Sequence, residues 1–451
     1  MRGESVVIVG GGISGLAAAW FLHRAGFVVT VLEAGAEPGG NAHTIERDGF
    51  LVDTGPTSTF YRGGALGQML QDLGLESEIL EADRQAPRYI VKQDRLIPLP
   101  TGLLDFIRTP LFSPSAKWRL LAEPFYRRAA NEESIAAFTR RRLGAEFLDW
   151  AVDPFVSGVY AGDPERLSVR AATARLYALE AAHGSLLVGA LWRGLRGNGG
   201  THPRGRLISF RRGMQQLPNA IAAKLSGNVH LATAVTRIER ATSGEWVAHS
   251  AAGDHRAAHL VLSLPAYRAA PLLAPLIPEA ARALSEITYP PVASVALGFA
   301  RAQVTHPLQG FGALIPRRAQ RETLGVIFSS SLFPGRAPVG KVLLTAFVGG
   351  ARNPGVCAGG ERAAYERALA DLRALLGVRG EPVFSHVSLW PRAIPQYELG
   401  HLGRVEHISA CVAGLPGLHL RANWRDGVSL ADSVSNASAL AATLQRQPQA
   451  V

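Results

Sequence analysis

Residues 5–33 read SVVIVGGGISGLAAAWFLHRAGFVVTVLE, and this stretch decides the fold. SVVIV, residues 5–9, is a β-branched run of the kind buried on both faces of a parallel sheet. Gly10, Gly12 and Gly15 follow at GxGxxG spacing. AAAWFLHRAG then has helical composition and stops at Gly26, a C-cap signal. A second strand ends in Glu33, eighteen residues past Gly15. Each part has a physical task. Gly10 permits the tight turn, Gly12 lets the backbone approach a pyrophosphate, and Gly15 lets helix and strand pack closely. Ile13 and Ser14 open the helix, whose free N–H groups and partial positive charge suit a phosphate. Glu33 offers a carboxylate to a ribose and repels a 2′-phosphate, which argues against NADP. A glycine turn alone is weak, but strand, turn, helix, second strand and terminal acid in register specify a dinucleotide site.

Working outward, residues 34–44 (AGAEPGGNAHT) add a second glycine pair, Gly39-Gly40, and DGFLVDTGPTSTF runs on to Phe60. A nicotinamide dehydrogenase needs no such pair at that point, so FAD is favoured over NAD. The pair predicts a backbone that wraps the pyrophosphate from its other side. Ala34, Gly40, Asn41, Gly55, Pro56 and Thr57 therefore join the candidate cofactor site.

The rest of the composition bounds the answer. A length of 451 residues suits two or three domains, and 47% hydrophobic against 18% charged residues excludes global disorder. The net charge of +11 leaves nucleic acid, an anionic membrane and acidic small molecules open as partners. Of the 47 basic residues only four are lysines, and the planar arginine fork suits carboxylates. No basic run is interleaved with aromatics, which argues against nucleic acid. Cys357 and Cys411 cannot build a disulfide framework, which points to a reducing compartment. Neither sits in a CxxC or beside a patterned His, so no metal site is expected. Val6 to Leu22 is almost wholly uncharged and is read as a buried strand, turn and helix rather than a membrane span. The chain is expected to be soluble or peripheral.

The run VLEAGAEPGGNAHT, with DTGP at 53–56, resembles the FAD-dependent amine oxidase and phytoene desaturase superfamily. Three further segments are similar to the oxygen-dependent protoporphyrinogen oxidases, flavoenzymes of haem and chlorophyll synthesis. They are DPFVSGVYAGDPERLSVRAA (153–172), PLQGFGALIPRRAQRETLGVIFSSSLFPGRAP (307–338) and WPRAIPQYELGHLGRVEHI (390–408), the last continuing to LPGLHLRANWRDGVSLADSV. SFRRGMQQLPNAI (209–221) is a weaker match. Some positions depart from the family. LRAN at 420–423 puts Arg421 and Ala422 where small residues are usual, Ala431 and Ser433 replace a Pro and a Cys, and Thr57 and Ser58 stand where an Asn or His often follows Gly-Pro.

The expected fold is α/β, with a discontinuous Rossmann-like FAD-binding domain at 1–85, 205–265 and 386–451. An α+β substrate domain is expected at 86–100 and 266–385, and a helical, membrane-associating subdomain at 101–204. NVHLATAVTRIE, from 228 to 239, reads as one strand. Within 101–204, TGLLDFIRTPLFSPSAKWRLLAEPFYRR (101–128) mixes large apolar residues with Arg and Lys, which suits either a membrane interface or an ordinary helical core.

The resemblance implies roles for further residues. The backbone of Val235 would hold the adenine, Trp390 would lie near the flavin ring, and Gly427, Val428 and Ser429 would start the last helix against its pyrimidine edge. Arg88 would pair with a propionate and Phe328 would pack on a pyrrole ring. Leu308, Gly310 and Phe311 would line the same pocket. Ala161 and Gly162 would let the backbone approach the macrocycle, where a side chain would crowd it. No His, Glu or Asp in the matched motifs stands out as a general base. The implied reaction is oxidation of protoporphyrinogen IX to protoporphyrin IX, six electrons in three flavin cycles, with dioxygen as acceptor. Coproporphyrinogen III oxidation to coproporphyrin III is the nearest alternative. An amine or polyene oxidoreductase is less well supported, since Trp390 alone makes a poor aromatic cage. A non-catalytic FAD-binding module belongs to another class and rests on the LRAN departure. A peripheral contact with the inner face of the cell membrane, from the cytoplasm, is implied, with homodimer and monomer both open.

Overall fold

The computed structural model describes residues 3–195 and 205–446. Five parallel strands form one sheet in the order Val229–His230, Val28–Leu32, Ser5–Val9, His259–Leu262, Leu418–Leu420. Three separated stretches of chain thus feed one sheet. Val6 and Ile8 enter a core with the helices Ile13–Arg24, Gly64–Asp72, Gln216–Lys224 and Leu430–Arg446. Val7 and Val9 enter a second core on the other face, with the helices Ala266–Leu273, Pro278–Ser285 and His401–Ala413 and the fully buried Trp246. Burial on both faces explains why no polar residue follows Ser5 in this strand. The Val6–Leu22 segment is therefore interior, and no described helix is long and apolar enough to cross a membrane.

A second sheet has seven strands. Its order is Phe384–Trp390, Val292–Ala300, Lys341–Gly349, Thr323–Ile327, Gly312–Leu314, Arg88–Lys92, Arg95–Pro98. All pairs are antiparallel except Gly312–Leu314 with Arg88–Lys92. The helix Gly360–Leu376 covers one face of it, with Ala364, Ala368, Leu372 and Leu376 packed on Val295, Leu297, Leu344 and Val348. On the opposite face Phe50 and Val52 pack on Ala296, Leu343 and Phe384.

Several expectations are corrected here. Residues 228–239 form two strands, Val229–His230 and Val235–Arg240, broken by a turn with Ala232 at φ 49°. The turn is fixed by hydrogen bonds from Ala232 N to Gly35 O at 2.8 Å and from Thr233 N to Glu33 O at 2.7 Å. Phe384–Trp390 straddles the 385/386 boundary and pairs with Val292–Ala300, so it belongs to the seven-stranded sheet. Helices from 266 to 285 pack on the nucleotide sheet, because their Ala and Leu face matches that core.

Residues 101–195 are helical, and 196–204 lie outside the described residues. Ser113 and Ser134 cap their helices through bonds from Ala116 N and Ala137 N. A buried ionic hub organises this region. Arg142 Nε donates to Glu180 at 2.5 Å, and Arg142 Nη1 donates to Glu123 Oε1 at 3.2 Å. The Glu123 carboxylate also accepts from Leu186 N and Leu187 N. With every charge partnered the hub specifies one packing, and removing one partner would strand a buried ion. Apolar clusters around Phe112 and Phe147 and around Ile135 and Phe138 are buried here, while other large apolar side chains face outward, including Trp118 at 72% and Phe125 at 86% exposure.

Candidate functional site: the cofactor cradle and the facing sheet

At the end of strand Ser5–Val9 the chain turns at Gly10, whose φ of +109° and approach to Ser263 O exclude a side chain. A Cβ on Gly15 would lie 1.9 Å from Gly10 O, so the helix crosses the strand at contact distance. Gly12 is different. Its φ of −68° suits any residue, and a Cβ there meets nothing within 4 Å. No side chain caps the helix that Gly12 starts, so its first N–H groups face this open space beside the half-buried Ile13 and Ser14. Glu33 Oε2 accepts from Gly11 N at 2.5 Å and Oε1 from Gly35 N at 2.7 Å, which aims its carboxylate at the same turn. Ala34 is exposed beside it.

The second glycine pair closes onto the first. Gly39 N donates to Gly11 O at 2.8 Å, and Gly12 and Gly39 form a parallel bridge. Gly40 sits at φ +59°, and a Cβ on it would lie 3.2 Å from Gly12 Cα. Gly55 packs so closely that its Cβ would lie 1.9 Å from Asn41 O. Gly12, Gly40, Asn41 and the Gly55-Pro56-Thr57 loop thus meet at the C-terminal edge of the parallel sheet, where ligands bind in such folds. Trp390 Nε1 donates to Thr54 O at 3.0 Å, tying the seven-stranded sheet to this loop. Val235 begins its strand beside the Glu33–Gly35 turn, two residues after Thr233.

The last helix joins at the same end. Leu430–Arg446 packs along Ile13–Arg24, and Gln445 reaches Ala25 O at 3.5 Å, so the C-terminal ends lie together. The two N-termini therefore share the other end, at the cradle. Ser429 Oγ accepts from Asp432 N at 3.1 Å, an N-cap. Gly427 has φ +106°, and its N–H donates to Tyr397 Oη at 3.1 Å. Val428 packs toward Phe138 and Tyr160. Tyr397 also donates to Asn423 O and stacks on His401 at 4.4 Å. His401 Nε2 contacts Trp424 O at 2.8 Å. Burial holds the His401 ring neutral, down to about 4, against the opposing Trp424 carbonyl. Tyr397 and His401 were not among the expected site residues, although both lie in the quoted IPQYELGH run.

The LRAN departure is absorbed locally. Ala422 is buried in the core, and Arg421 lines a cleft of about 300 Å³ along the edge strand Leu418–Leu420. Arg421 and Arg425 each lie 3.5 Å from the Asp426 carboxylate. Burial pushes that carboxyl up to about 6, with Arg425 opposing.

On the substrate side, strand parity sorts the expected residues. Arg88 pairs with Gly312 in register, and its guanidinium lies 5.1 Å over the Phe311 ring. It is exposed, and its side chain has no ion pair or hydrogen bond with any described residue. Phe311 N donates to Pro87 O at 2.9 Å, and a Cβ on Gly310 would lie 2.5 Å from that oxygen. Phe311 and Ile327 pack with Phe333 on the face opposite the covering helix.

Phe328 and Leu308 lie in the core beneath the covering helix. Val326 and Phe328 share the helix-covered face, and Phe328 is fully buried beside Tyr89 and His306. Leu308 is buried in the same core, its backbone held at φ 57° and its N–H donated to His306 Nδ1. Both belong to a different cluster from Phe311 and Ile327. Ala161 and Gly162 are also enclosed by protein. Ala161 O accepts from Ala351 N at 2.7 Å, and a Cβ on Gly162 would meet Gln396 at 2.5 Å. The crowding there comes from Gln396 and Leu167 themselves.

The contact between cofactor loop and sheet is polar at one point. Asp53 accepts from Thr44 Oγ1 and Met214 N at 2.7 Å and pairs with Arg336 at 3.1 Å, both side chains buried. Burial pushes the Asp53 carboxyl up, with Arg336 opposing. Arg336 also donates to Ser209 Oγ at 2.6 Å. It comes from FPGRAP in the second matched segment and pins the loop carrying Thr57 to the sheet.

The open space over Gly12, the uncapped helix N-terminus and Glu33 at the strand end fit the pyrophosphate and ribose of a dinucleotide cofactor. Residues 13–432 match the family of flavin-containing amine oxidoreductases. The chain is 38% identical to the chloroplastic protoporphyrinogen oxidase of Oryza sativa over 96% of its length and 86% of the rice protein. It is 36% identical to the Nicotiana tabacum chloroplastic enzyme, covering 96% and 83%. Coproporphyrinogen III oxidase of Bacillus subtilis is 29% identical over 97% of both chains. A crystal structure from Exiguobacterium sp. 255-15 with a provisional protoporphyrinogen oxidase name superposes with TM-score 0.83 at 27% identity, over 98% of both chains. The chain belongs to the flavin-containing amine oxidoreductase family, within its protoporphyrinogen oxidase group, and is an FAD-dependent oxidase.

Proposed function

We propose that this chain oxidises protoporphyrinogen IX to protoporphyrin IX. Three two-electron oxidations remove six electrons and six protons from the macrocycle, and three molecules of dioxygen leave as hydrogen peroxide. Bound FAD supplies the two-electron acceptance that no side chain provides. The chain's residues bind and orient. Arg88 offers a bidentate partner to a propionate, and Phe311 beneath it offers an apolar face to a pyrrole. Trp390 and Ile327, both half-buried on the cofactor-facing side of the sheet, would keep water from the reacting methylene. The observation that carries this reading is the unpaired Arg88 on the sheet that faces the cradle, in a chain 36–38% identical to plant enzymes of that name. Arg88→Ala is expected to raise KM for protoporphyrinogen by about ten-fold or more, the loss of one charge-assisted pair, with FAD content and melting unchanged. An unchanged KM would refute the anchor.

Coproporphyrinogen III is the second reading. The B. subtilis relative, matched over 97% of both chains, supports it.

The helical region is proposed to rest on an anionic membrane surface from the cytoplasmic side. Leu103, Leu104, Ile107, Trp118, Leu121 and Phe125 are exposed within one segment that also carries exposed Arg108, Arg127 and Arg128.

A further inference from the structure

On the far side of the nucleotide sheet, two helices present three metal-binding side chains that the oxidase chemistry does not use. His407 and Cys411 lie four residues apart on His401–Ala413, so they share one face. His407 Nε2 is 3.8 Å from Cys411 Sγ. Glu279 projects from the neighbouring helix Pro278–Ser285, and the three ligand atoms all lie within 4.8 Å of one another. Among the described residues this is the one group of three such side chains so close together. Glu279 has no hydrogen bond or ion pair with any described residue, so nothing competes for its carboxylate.

The framework beneath is fixed. Ala280, Ala281 and Leu284 of one helix pack with Ile408 and Val412 of the other in a shared core. Arg404 and Glu286 tie the same helices together at 3.2 Å. Closing the ligands onto an ion therefore takes rotamer adjustment of exposed side chains rather than movement of backbone. Glu279 and His407 are exposed and Cys411 is partly so, which leaves an entry path and room for a water as fourth ligand.

We propose that Glu279, His407 and Cys411 form a zinc-class site that clamps these two helices. Thiolate, imidazole and carboxylate together suit a borderline-soft divalent ion in tetrahedral geometry and give magnesium or calcium little purchase. Binding displaces the thiol proton to solvent and changes no oxidation state. The clamped helix runs directly into the edge strand Leu418–Leu420, and its first residue, His401, contacts Trp424 beside the cradle. The ion would thus brace the outer wall of the cofactor domain.

The test uses untagged, FAD-loaded protein stripped with chelator and titrated with zinc against a chromophoric chelator. One zinc per chain is expected, with a dissociation constant of about 1–10 μM for three exposed ligands, and Cys411→Ser or His407→Ala should weaken it about ten-fold or more. Cys411→His, which keeps a ligand, should restore binding. Zinc should shield Cys411 from alkylation, read by mass spectrometry, while Cys357, in the turn Pro354–Gly359 against the seven-stranded sheet, reacts as before and millimolar magnesium protects neither. No zinc bound at 100 μM, or binding unaffected by both variants, would overturn the proposal.

Discussion

Gly12→Ala separates a glycine kept for a ligand from one kept for packing. In the cradle a methyl on Gly12 meets nothing within 4 Å, and φ −68° and ψ 173° carry no strain for alanine. The unliganded protein should therefore fold as well as wild type, within about 0.5 kcal/mol, the ordinary range for an unhindered surface change. FAD should bind differently. The methyl would stand between the pyrophosphate and the first N–H groups of the helix. Losing one such charge-assisted bond costs about 1.5–3 kcal/mol, or about ten- to more than a hundred-fold in affinity. Gly15→Ala is the control. Its methyl would lie 1.9 Å from Gly10 O, backbone against backbone, so this variant should fail to fold stably whether or not FAD is present. The assay is melting of the apoprotein together with FAD titration by flavin fluorescence. Gly12→Ala that binds FAD within two-fold of wild type, or whose apoprotein melts several degrees lower, would refute the reasoning.

Three further predictions follow from the same geometry. Phe328→Ala should cost about 3–5 kcal/mol of stability because its ring is core, whereas Phe311→Ala should keep its melting point and raise KM; the reverse pattern would undo the parity assignment. His401 and His419 are both held near a pKa of about 4 by burial, below the ordinary 6.5, so each contributes stability that is present above pH 6.5 and lost as pH falls toward 4. Each should cost about 2 kcal/mol by pH 5, and His401→Asn should narrow the drop in urea stability between pH 7.5 and 5; an equal drop in both proteins would contradict this. Trp118→Glu with Phe125→Glu should abolish sedimentation with anionic vesicles while leaving FAD content intact, and undiminished vesicle binding would remove the membrane surface proposed here.

The nucleotide half of the site was legible because its signals are local. Gly10, Gly15, Glu33 and the Gly39-Gly40 pair sit within about one βαβ unit, and backbone sterics demand their identities wherever that unit folds. The substrate half was legible only as segments. IFSS and PLQGFG fall in the facing sheet, but which of their side chains look toward the cradle depends on strand register, and a one-residue difference exchanges faces. That is why Phe311 and Arg88 came out on the open face while Phe328 and Leu308 came out beneath the helix. Tyr397 and His401 were hidden for another reason. Their partners, Gly427 and Trp424, lie more than twenty residues away and are brought together only by the fold. The three ligands of the proposed zinc site run against the expectation of no metal site: an isolated His and Cys four residues apart form no recognised ligand pattern, and only the packing of two helices brings Glu279 to them.

The most direct measurement is aerobic oxidation of protoporphyrinogen IX and coproporphyrinogen III side by side, with purified yellow protein and porphyrin fluorescence as readout. The expected result is turnover with a clear preference for protoporphyrinogen, its KM raised in Arg88→Ala. A preference for coproporphyrinogen would transfer the assignment to the second reading, and no turnover of either with FAD bound would contradict a porphyrinogen oxidase altogether.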